Sequence, residues 1–379
     1  MNDTLFRDMR PYTALSLFSG AGGMDIGLTQ AGFDILAQIE IDPHCCNTLR
    51  LNATKERRNT IVYEEDIRKI APEQLMSDLL FDEGELDLLC GGSPCQSFSQ
   101  IGHQQSVNDE RGLLLFEFVR FARILKPKMI LMEQVKGLLK APDAQSIKGG
   151  VYERLTAELR DLGYQLTMRV INAADYGVPQ LRERVFLVAM RKGINFEFPA
   201  PTYCDQNKIS DMFGLPAYRT VGEVIEGLAE PVPKGGFQPE DSHMDVTPAG
   251  DRRRMNGVPE GSYLAKEIHL PIEQRCRLAK KDTTKFKRMH RAKPANTLRC
   301  GEIFYHPIHD RYLTPREYMR IHGYPDDYFL QGPIRGRSGQ VKSLDQHRQV
   351  ANSVPPPVAY MIASAIIESL HVKNYANHF

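Results

Sequence analysis

The sequence lacks the features that mark secreted, membrane-spanning and metal-binding proteins. It has no tryptophan, and its seven cysteines include no Cys-x-x-Cys pair and no paired His and Cys spacing. We therefore predict a reducing compartment, with no disulfide framework and no metal site. No apolar run approaches the roughly 20 residues that cross a bilayer, and the N-terminus, MNDTLFRDMRPY, has no signal-peptide core. These absences predict a cytoplasmic protein that does not bind a membrane.

The charge is nearly balanced overall but unevenly distributed along the 379 residues. The net charge is +1, yet residues 61–90 carry nine Asp and Glu against two Lys and Arg. Residues 251–300 show the reverse, with fourteen Lys and Arg against five Asp and Glu. This basic block indicates a polyanionic partner, although a solvated surface with chance clustering would give the same count.

Short apolar strands alternate with helical patterns from residue 12 to 190, which predicts an α/β fold with a doubly wound, mostly parallel sheet. From about residue 193 the periodicity breaks down and Pro and Gly become frequent, which indicates a second, smaller domain of irregular or short-strand structure. Thr314, Pro315 and Glu317 predict a capped helix that begins at Pro315. We predict domains at 1–192, 193–290 and 291–379, with 291–340 at the junction and 341–379 packed on the first domain.

A glycine-rich turn, Ser19–Gly23, follows the first predicted strand, Thr13–Phe18, and precedes a helix. A strand, a glycine turn and a helix in this order accept a nucleotide-like ligand. Asp25 stands where the third glycine of GxGxxG belongs, which weakens a pyrophosphate-binding interpretation. Glu40 ends the second predicted strand about 20 residues beyond the turn, where a carboxylate can accept both ribose hydroxyls. A plain surface carboxylate is the alternative for Glu40.

Three further residues fit an adenine ring. Asp66 follows the short predicted strand Ile61–Tyr63 and could accept a hydrogen bond from the adenine amino group, while Ile67 and Ile41 could enclose the ring. A helix N-cap is the alternative role for Asp66, because Asp is favoured at that position.

The segment GGSPCQSFS, Gly91–Ser99, follows the apolar run Leu86–Cys90. Its two glycines permit a sharp turn, and Pro94 fixes φ and removes a donor, so the turn that carries Cys95 should be stiff. This arrangement predicts a thiolate at the carboxyl end of a strand, where open α/β sheets bind ligands. A buried structural cysteine is the alternative.

Taken together, the motifs resemble those of the DNA cytosine-5 methyltransferases over nearly the whole chain apart from the irregular region. The matching segments are FSGAGG (Phe18–Gly23), SPCQSFS, EQV (Glu133–Val135), QLRER (Gln180–Arg184), RIHGYPDDY (Arg320–Tyr328) and QVANSVPPP (Gln349–Pro357). The resemblance implies a Rossmann-like methyltransferase sheet and an enzyme of the prokaryotic restriction-modification type. Such an enzyme makes 5-methylcytosine at a specific double-stranded DNA site, with S-adenosyl-L-methionine as methyl donor.

The resemblance also implies a role for each site residue. Cytosine C5 is a poor nucleophile, and attack of a Cys95 thiolate at C6 would activate it. Glu133 would bind N3 and the exocyclic amine and deliver a proton, and Arg184 and Arg182 would hold O2. An ordinary strand-end acid and a solvated edge are the alternatives. The implied cofactor residues are Phe18, Ser19, Gly20, Ala21, Gly22, Gly23, Glu40, Ile41, Asp66, Ile67, Pro94, Asn352 and Ser353.

A base inside a duplex must be flipped out before Cys95 can reach it. The polar segment Gln96–Arg111 is predicted to be a lid, and the basic module at 193–290 is predicted to recognise the DNA sequence. We expect a monomer that is either the modification partner of a cognate restriction endonuclease acting on the same site or a solitary prokaryotic methyltransferase. The chain departs from the family at Gln134, where Asn is usual, which puts the rate in doubt.

Two rival functions remain open from the sequence. A tRNA cytosine-5 methyltransferase shares the fold and the cysteine motif, but the long basic insert argues against it. A catalytically silent DNA-binding relative is the other, and intact Cys95, Glu133 and Arg184 argue against that one.

Overall fold

The computed structural model describes residues 10–94, 114–206, 214–264, 271, 273, 286–335 and 343–376, with side chains described up to 372. The chain divides into two compact units. The first comprises Met1–Ile171, Glu183–Ala200 and Val358–Phe379, and the second comprises Asn172–Arg182 and Pro201–Pro357. The functions predicted above for the sequence domains stay predictions.

A seven-stranded sheet of order β3-β2-β1-β4-β5-β8-β6 organises the described part of the first unit. Its strands are β1 (Tyr12–Leu17), β2 (Phe33–Glu40), β3 (Ile61–Glu64), β4 (Leu88–Gly91), β5 (Met129–Gln134), β6 (Tyr164–Asn172) and β8 (Glu183–Arg191). The pairs β1–β2, β1–β4, β2–β3 and β4–β5 are parallel, and β5–β8 is antiparallel. The predicted α/β class with a mostly parallel sheet is confirmed.

Five helices lie between the strands of this sheet along the described chain, and a sixth, which begins at Pro356, is described below. They are α1 (Gly23–Ala31), α2 (Pro43–Lys55), α3 (Pro72–Leu79), α4 (Glu117–Leu125) and α5 (Gly150–Asp161). The inner strands read as continuous apolar runs because helices cover both faces of a parallel sheet. Leu15, Leu17, Leu89 and Ile130 are completely buried in this core.

The first five strands end at the same edge of the sheet, because they run parallel. Leu17 pairs with Ile39 and with Gly91, and Gly91 pairs with Met132. The residues that follow each strand therefore meet at one carboxyl edge, which is where open α/β sheets bind ligands.

Gly91 is required where β4 leaves the sheet beside β1. Its φ is 148°, and a Cβ at this position would stand 1.9 Å from the carbonyl oxygen of Leu17. We expect Gly91→Ala to lower the free energy of unfolding by about 3 kcal/mol, the upper range for overpacking. Urea unfolding measures the change.

Gly193→Ala is the matched control for that substitution. Gly193 also has a positive φ, +86°, but a Cβ there meets nothing within 4 Å. Its free energy of unfolding should fall only by the cost of placing an alanine in the left-handed backbone conformation, about 1–2 kcal/mol. Equal losses in both variants would show that the contact with Leu17 is not the cause.

The second unit consists, where described, of short elements. They are β7 (Gln180–Leu181) and β9 (Ala295–Asn296), which pair in parallel, and α6 (Val221–Ile225), α7 (Ala249–Met255), α8 (Pro315–His322) and α9 (Gln346–Asn352). The predicted cap of α8 is confirmed, because the Thr314 side chain accepts from Glu317 N and Glu317 bonds back to Thr314 N. A final helix, α10, spans Pro356–Ala376.

One segment of the described chain, Gln346–Val372, is long and apolar enough by length and composition to cross a membrane. In the structure, 61% of its apolar window is buried inside the protein. Burial of this kind is typical of a core helix.

Candidate active site

The turn after β4 carries the segment predicted to hold the nucleophile. Gly92 and Ser93 leave the sheet, and Pro94 is exposed. Cys95 and the predicted lid Gln96–Arg111 lie outside the described residues, so the part of the turn that the structure places is Gly91–Pro94.

Glu133 and Arg184 form an ion pair at the carboxyl edge beside this turn. The Arg184 Nε lies 2.9 Å from Glu133 Oε1, and the two side chains are 17% and 12% exposed. The pair meets because β8 runs antiparallel to β5, with Gln134 opposite Val185. The Nη1 of Arg184 donates to Glu183 O at 2.9 Å. The structure therefore brings together the acid and the guanidinium that the sequence analysis assigned to the cytosine ring, and their catalytic roles stay predictions.

The second carboxylate oxygen of Glu133 faces the turn. A Cβ at Gly92 would stand 2.9 Å from Glu133 Oε2. Glycine at position 92 thus avoids a steric clash with the Glu133 carboxylate.

Gln134, the departure from the family pattern, ties β5 to the same turn. It is 2% exposed, and its Nε2 donates to Ser93 O at 2.8 Å and to Ser93 Oγ at 2.9 Å. Its Oε1 accepts from Val135 N at 2.9 Å. The amide thereby fixes the residue that lies two positions before Cys95.

We expect Gln134→Leu to lower kcat by about 10²-fold, the effect of misplacing a reacting group by roughly 1 Å. The affinity for S-adenosylhomocysteine should not change, because within the described residues the amide bonds Ser93 and Val135. Single-turnover kinetics and calorimetry separate the two readouts. The control is Gln74→Leu, because Gln74 is exposed on α3 and its Nε2 donates to Asp78 Oδ1 at 2.8 Å. Unchanged turnover in Gln134→Leu would contradict the positioning role.

The glycine-rich turn after β1 is held in an unusual backbone conformation. Phe18, Gly20 and Gly22 all have positive φ, at 54°, 55° and 76°. Such a φ is uncommon for a bulky residue like Phe18. The Gly20 N–H donates to Glu40 Oε2 at 2.8 Å, and a Cβ on Gly20 would meet nothing within 4 Å. Glu40 therefore fixes the backbone of the turn, and the space into which a Gly20 side chain would project is open.

Glu40 is a half-buried carboxylate that holds this turn together. Its Oε1 accepts from Ile41 N and from Asp42 N, each at 2.8 Å, in addition to the bond from Gly20. Burial raises the pKa of Glu40, and the three backbone donors oppose that rise. A carboxylate has about four acceptor positions, so capacity remains for a ligand hydroxyl.

Asp66 caps the 3₁₀ turn Ile67–Lys69, which was its alternative role. Its Oδ1 accepts from Arg68 N at 3.0 Å, and its Oδ2 accepts from Arg68 Nη2 at 2.6 Å. The hydrogen bond from the Arg68 side chain lowers the pKa of Asp66. Ile67 is 4% exposed and Ile41 is 65% exposed. Capping does not exclude an adenine contact, which stays a prediction.

The second unit holds Arg182, Asn352 and Ser353. Arg182 is 2% exposed, and its Nη2 donates to Ser353 O at 3.0 Å. The His322 Nε2 also bonds Ser353 O at 3.0 Å, and the Gln180 amide bonds His322 Nδ1 at 2.9 Å. Asn352 is exposed and accepts from the Cys300 thiol at 2.6 Å. In this unit Arg182 supports the Ser353 backbone, and its predicted contact with cytosine stays untested.

Sequence reasoning missed a buried carboxyl beneath the glycine turn. Asp25 is 2% exposed, accepts from Ser16 Oγ at 2.7 Å and from Gln38 Nε2 at 2.6 Å. Burial raises its pKa. The position of Asp25 was noted only as a missing glycine. The signal that could have found it is the pair of polar residues Ser16 and Gln38, which occupy buried positions on two adjacent strands, β1 and β2.

The fold and this edge define an α/β protein whose sheet presents a glycine turn, the half-buried carboxylate of Glu40 and an acid–guanidinium pair. The family model for C-5 cytosine-specific DNA methylase matches residues 12–368. The Type II methyltransferase M.AquIA of Picosynechococcus sp. is 42% identical over 226 residues, 58% of this chain and 90% of the relative. M1.HphI of Haemophilus parahaemolyticus is 31% identical over 360 residues, 94% of this chain and 87% of the relative.

Among solved structures, a prophage-encoded E. coli protein described as a DNA modification methyltransferase has a TM-score of 0.68 at 23% identity. The match covers 95% of this chain and 99% of that chain. The chain therefore belongs to the C-5 cytosine-specific DNA methylase family. It is a DNA cytosine-5 methyltransferase of the restriction-modification type that uses S-adenosyl-L-methionine.

Proposed function

We propose that the chain methylates a flipped cytosine in a specific double-stranded DNA site through a covalent adduct between Cys95 and C6. The observation that carries this proposal is the Glu133–Arg184 pair beside the turn that leads to Cys95. An acid and a fixed guanidinium are what a cytosine ring needs when a nucleophile adds to it.

The residues at the edge fit S-adenosyl-L-methionine. The open space above Gly20 and the spare acceptor capacity of Glu40 suit an amino-acid group and a ribose. Asp66 and Ile67 would hold the adenine, with Phe18 and Ile41 beside it. Asn352, Ser353 and Pro94 would complete the pocket. The cofactor, when bound, supplies a sulfonium methyl group to C5 of the activated ring.

The chain's own residues activate the ring. The Cys95 thiolate forms a bond to C6, and the electron pair of the C5–C6 double bond moves toward N3 and O2. Glu133 delivers a proton to N3, and Arg184, whose Nε pairs with Glu133, holds O2. As C5 takes the methyl group, the C4–N3 double bond reforms and N3 returns its proton to Glu133. A base, for which we propose bound water, then removes the C5 proton, and the thiolate leaves as the C5–C6 double bond reforms.

We propose that the remaining parts of the chain bind the DNA and support the catalytic domain. We propose that residues 193–290 read the site, that 291–340 lie at the junction and that 341–379 support the catalytic domain at 1–192. Flipping the base costs a few kcal/mol, which contacts from the basic block of 251–300 would offset. We propose a cytoplasmic, nucleoid-associated monomer that shares its site with a cognate restriction endonuclease.

The test is bisulfite sequencing of plasmid DNA exposed to the protein, with Cys95→Ala as the control. Protected cytosines should share one short sequence context, which would also supply the recognition site. A wild-type protein that binds the cofactor but protects no cytosine would contradict the proposal. Methylation of tRNA in place of duplex DNA would establish the rival function.

A further inference from the structure

Helix α4 contacts both sides of the proposed adenine site. The Phe118 ring lies 6.0 Å, centroid to centroid, from the Phe18 ring. Two positions further along, Arg120 Nη2 donates to Ile67 O at 2.7 Å and Arg120 Nη1 donates to Ile70 O at 2.9 Å. One helix thus reaches the two segments that we propose to flank the ring.

The Arg120 guanidinium is itself held in place. Its Nε donates to Glu117 Oε2 at 2.6 Å, and its Cζ lies 4.7 Å from the centroid of the Phe121 ring. All three of its nitrogens are therefore engaged in a planar fork. A lysine ammonium is a single point charge and cannot reproduce this geometry.

The turn that Arg120 bonds follows a short edge strand. Strand β3 has only four residues and lies at one end of the described sheet. Within the turn that follows, Ile70 N donates to Ile67 O at 3.2 Å and Lys69 N donates to Asp66 O at 2.8 Å. Arg120 bonds the carbonyls at both ends of this turn, so it sets where Asp66 and Ile67 lie against the rest of the edge.

We infer that Arg120 is a positioning residue for the cofactor adenine, acting through the backbone of Ile67 and Ile70. The inference rests on the adenine role proposed above for Asp66 and Ile67. Arg120 does not touch the reacting atoms, so its loss should weaken binding of adenine-containing ligands and leave the chemical step unchanged.

The test measures the Kd of S-adenosylhomocysteine by calorimetry on the full chain. Arg120→Met should raise this Kd roughly tenfold, the factor that corresponds to about 1.4 kcal/mol. The Kd of 5′-methylthioadenosine, which keeps adenine and ribose but lacks the amino acid, should rise by the same factor. The kcat at saturating cofactor and the Kd for duplex DNA should stay at wild-type values. Arg120→Lys should give an intermediate Kd.

Arg123→Met is the matched control, because Arg123 is an exposed residue of the same helix. It should leave all these constants unchanged. A wild-type Kd in Arg120→Met, or a parallel fall in kcat and DNA binding, would overturn the inference. Ile67→Ala distinguishes a failure of the proposed adenine site from a failure of the positioning role of Arg120. If Ile67→Ala leaves the Kd unchanged, the proposed adenine site is wrong; if only Arg120→Met does so, the positioning role alone fails.

Discussion

Cys95→Ser is expected to abolish methyl transfer and to leave cofactor binding at the wild-type affinity. Cysteine gives an accessible thiolate near neutral pH, whereas a serine hydroxyl stays protonated without a dedicated base. The loss should be on the order of 10⁴-fold or more, as for removal of other covalent nucleophiles. Incorporation of labelled methyl groups into duplex DNA measures turnover, and calorimetry with S-adenosylhomocysteine measures binding.

Cys204→Ser provides the matched control for a change of sulfur to oxygen. The Cys204 thiol is buried in the second unit and bonds Leu215 O at 3.6 Å, a bond that a serine hydroxyl can keep. This variant should retain its activity. Substantial turnover in Cys95→Ser would sink the covalent mechanism, because no step would then need the thiolate.

The sheet could be predicted from the sequence because its strands are short apolar runs separated by helical patterns. The predicted strands Thr13–Phe18 and Ile61–Tyr63 form at Tyr12–Leu17 and Ile61–Glu64, and the apolar run Leu86–Cys90 forms β4, which begins at Leu88. The antiparallel direction of β8 could not be predicted. An apolar run such as VFLVAM reads equally well in either direction, and only its partner strand decides.

The residues of the candidate site could be predicted where they belong to a motif. The partners that each side chain contacts could not, because they depend on packing. Arg182 and Arg184 are two positions apart, which would place both on one face of a single strand. In the structure β7 ends at Leu181 and β8 begins at Glu183, so the two arginines belong to different units. Arg184 pairs with Glu133, whereas Arg182 bonds the Ser353 carbonyl. Spacing alone could not distinguish them.

Gln134 illustrates a second limit. The extra methylene relative to asparagine raised a doubt about support for the cysteine turn. In the structure the longer side chain reaches both the carbonyl and the hydroxyl of Ser93. A longer side chain in a motif can thus still reach its hydrogen-bond partners. The distance between Gln134 and Ser93 depends on the fold and cannot be predicted from the sequence alone.

Glu133→Gln is expected to lower kcat by about 10²–10⁴-fold, the usual contribution of a positioned general acid. The amide keeps the size of the carboxyl and can still hydrogen-bond a cytosine edge, but it cannot deliver a proton to N3. It also removes the charge that pairs with Arg184. Affinities for duplex DNA and for S-adenosylhomocysteine should change little. A duplex with 5-fluorocytosine at the target isolates the steps up to methyl transfer, because the adduct with Cys95, once methylated at C5, has no C5 proton to lose and cannot be released.

The adduct should therefore form much more slowly in Glu133→Gln than in the wild-type protein, and not merely turn over more slowly. Glu183→Gln is the control, since Glu183 is the neighbouring acid and pairs with Lys136 at the surface. It should trap the adduct at the wild-type rate. A wild-type trapping rate in Glu133→Gln would mean that the carboxyl only orients Arg184. The proton for N3 would then have to come from another group, and the ion pair at the strand end would be structural.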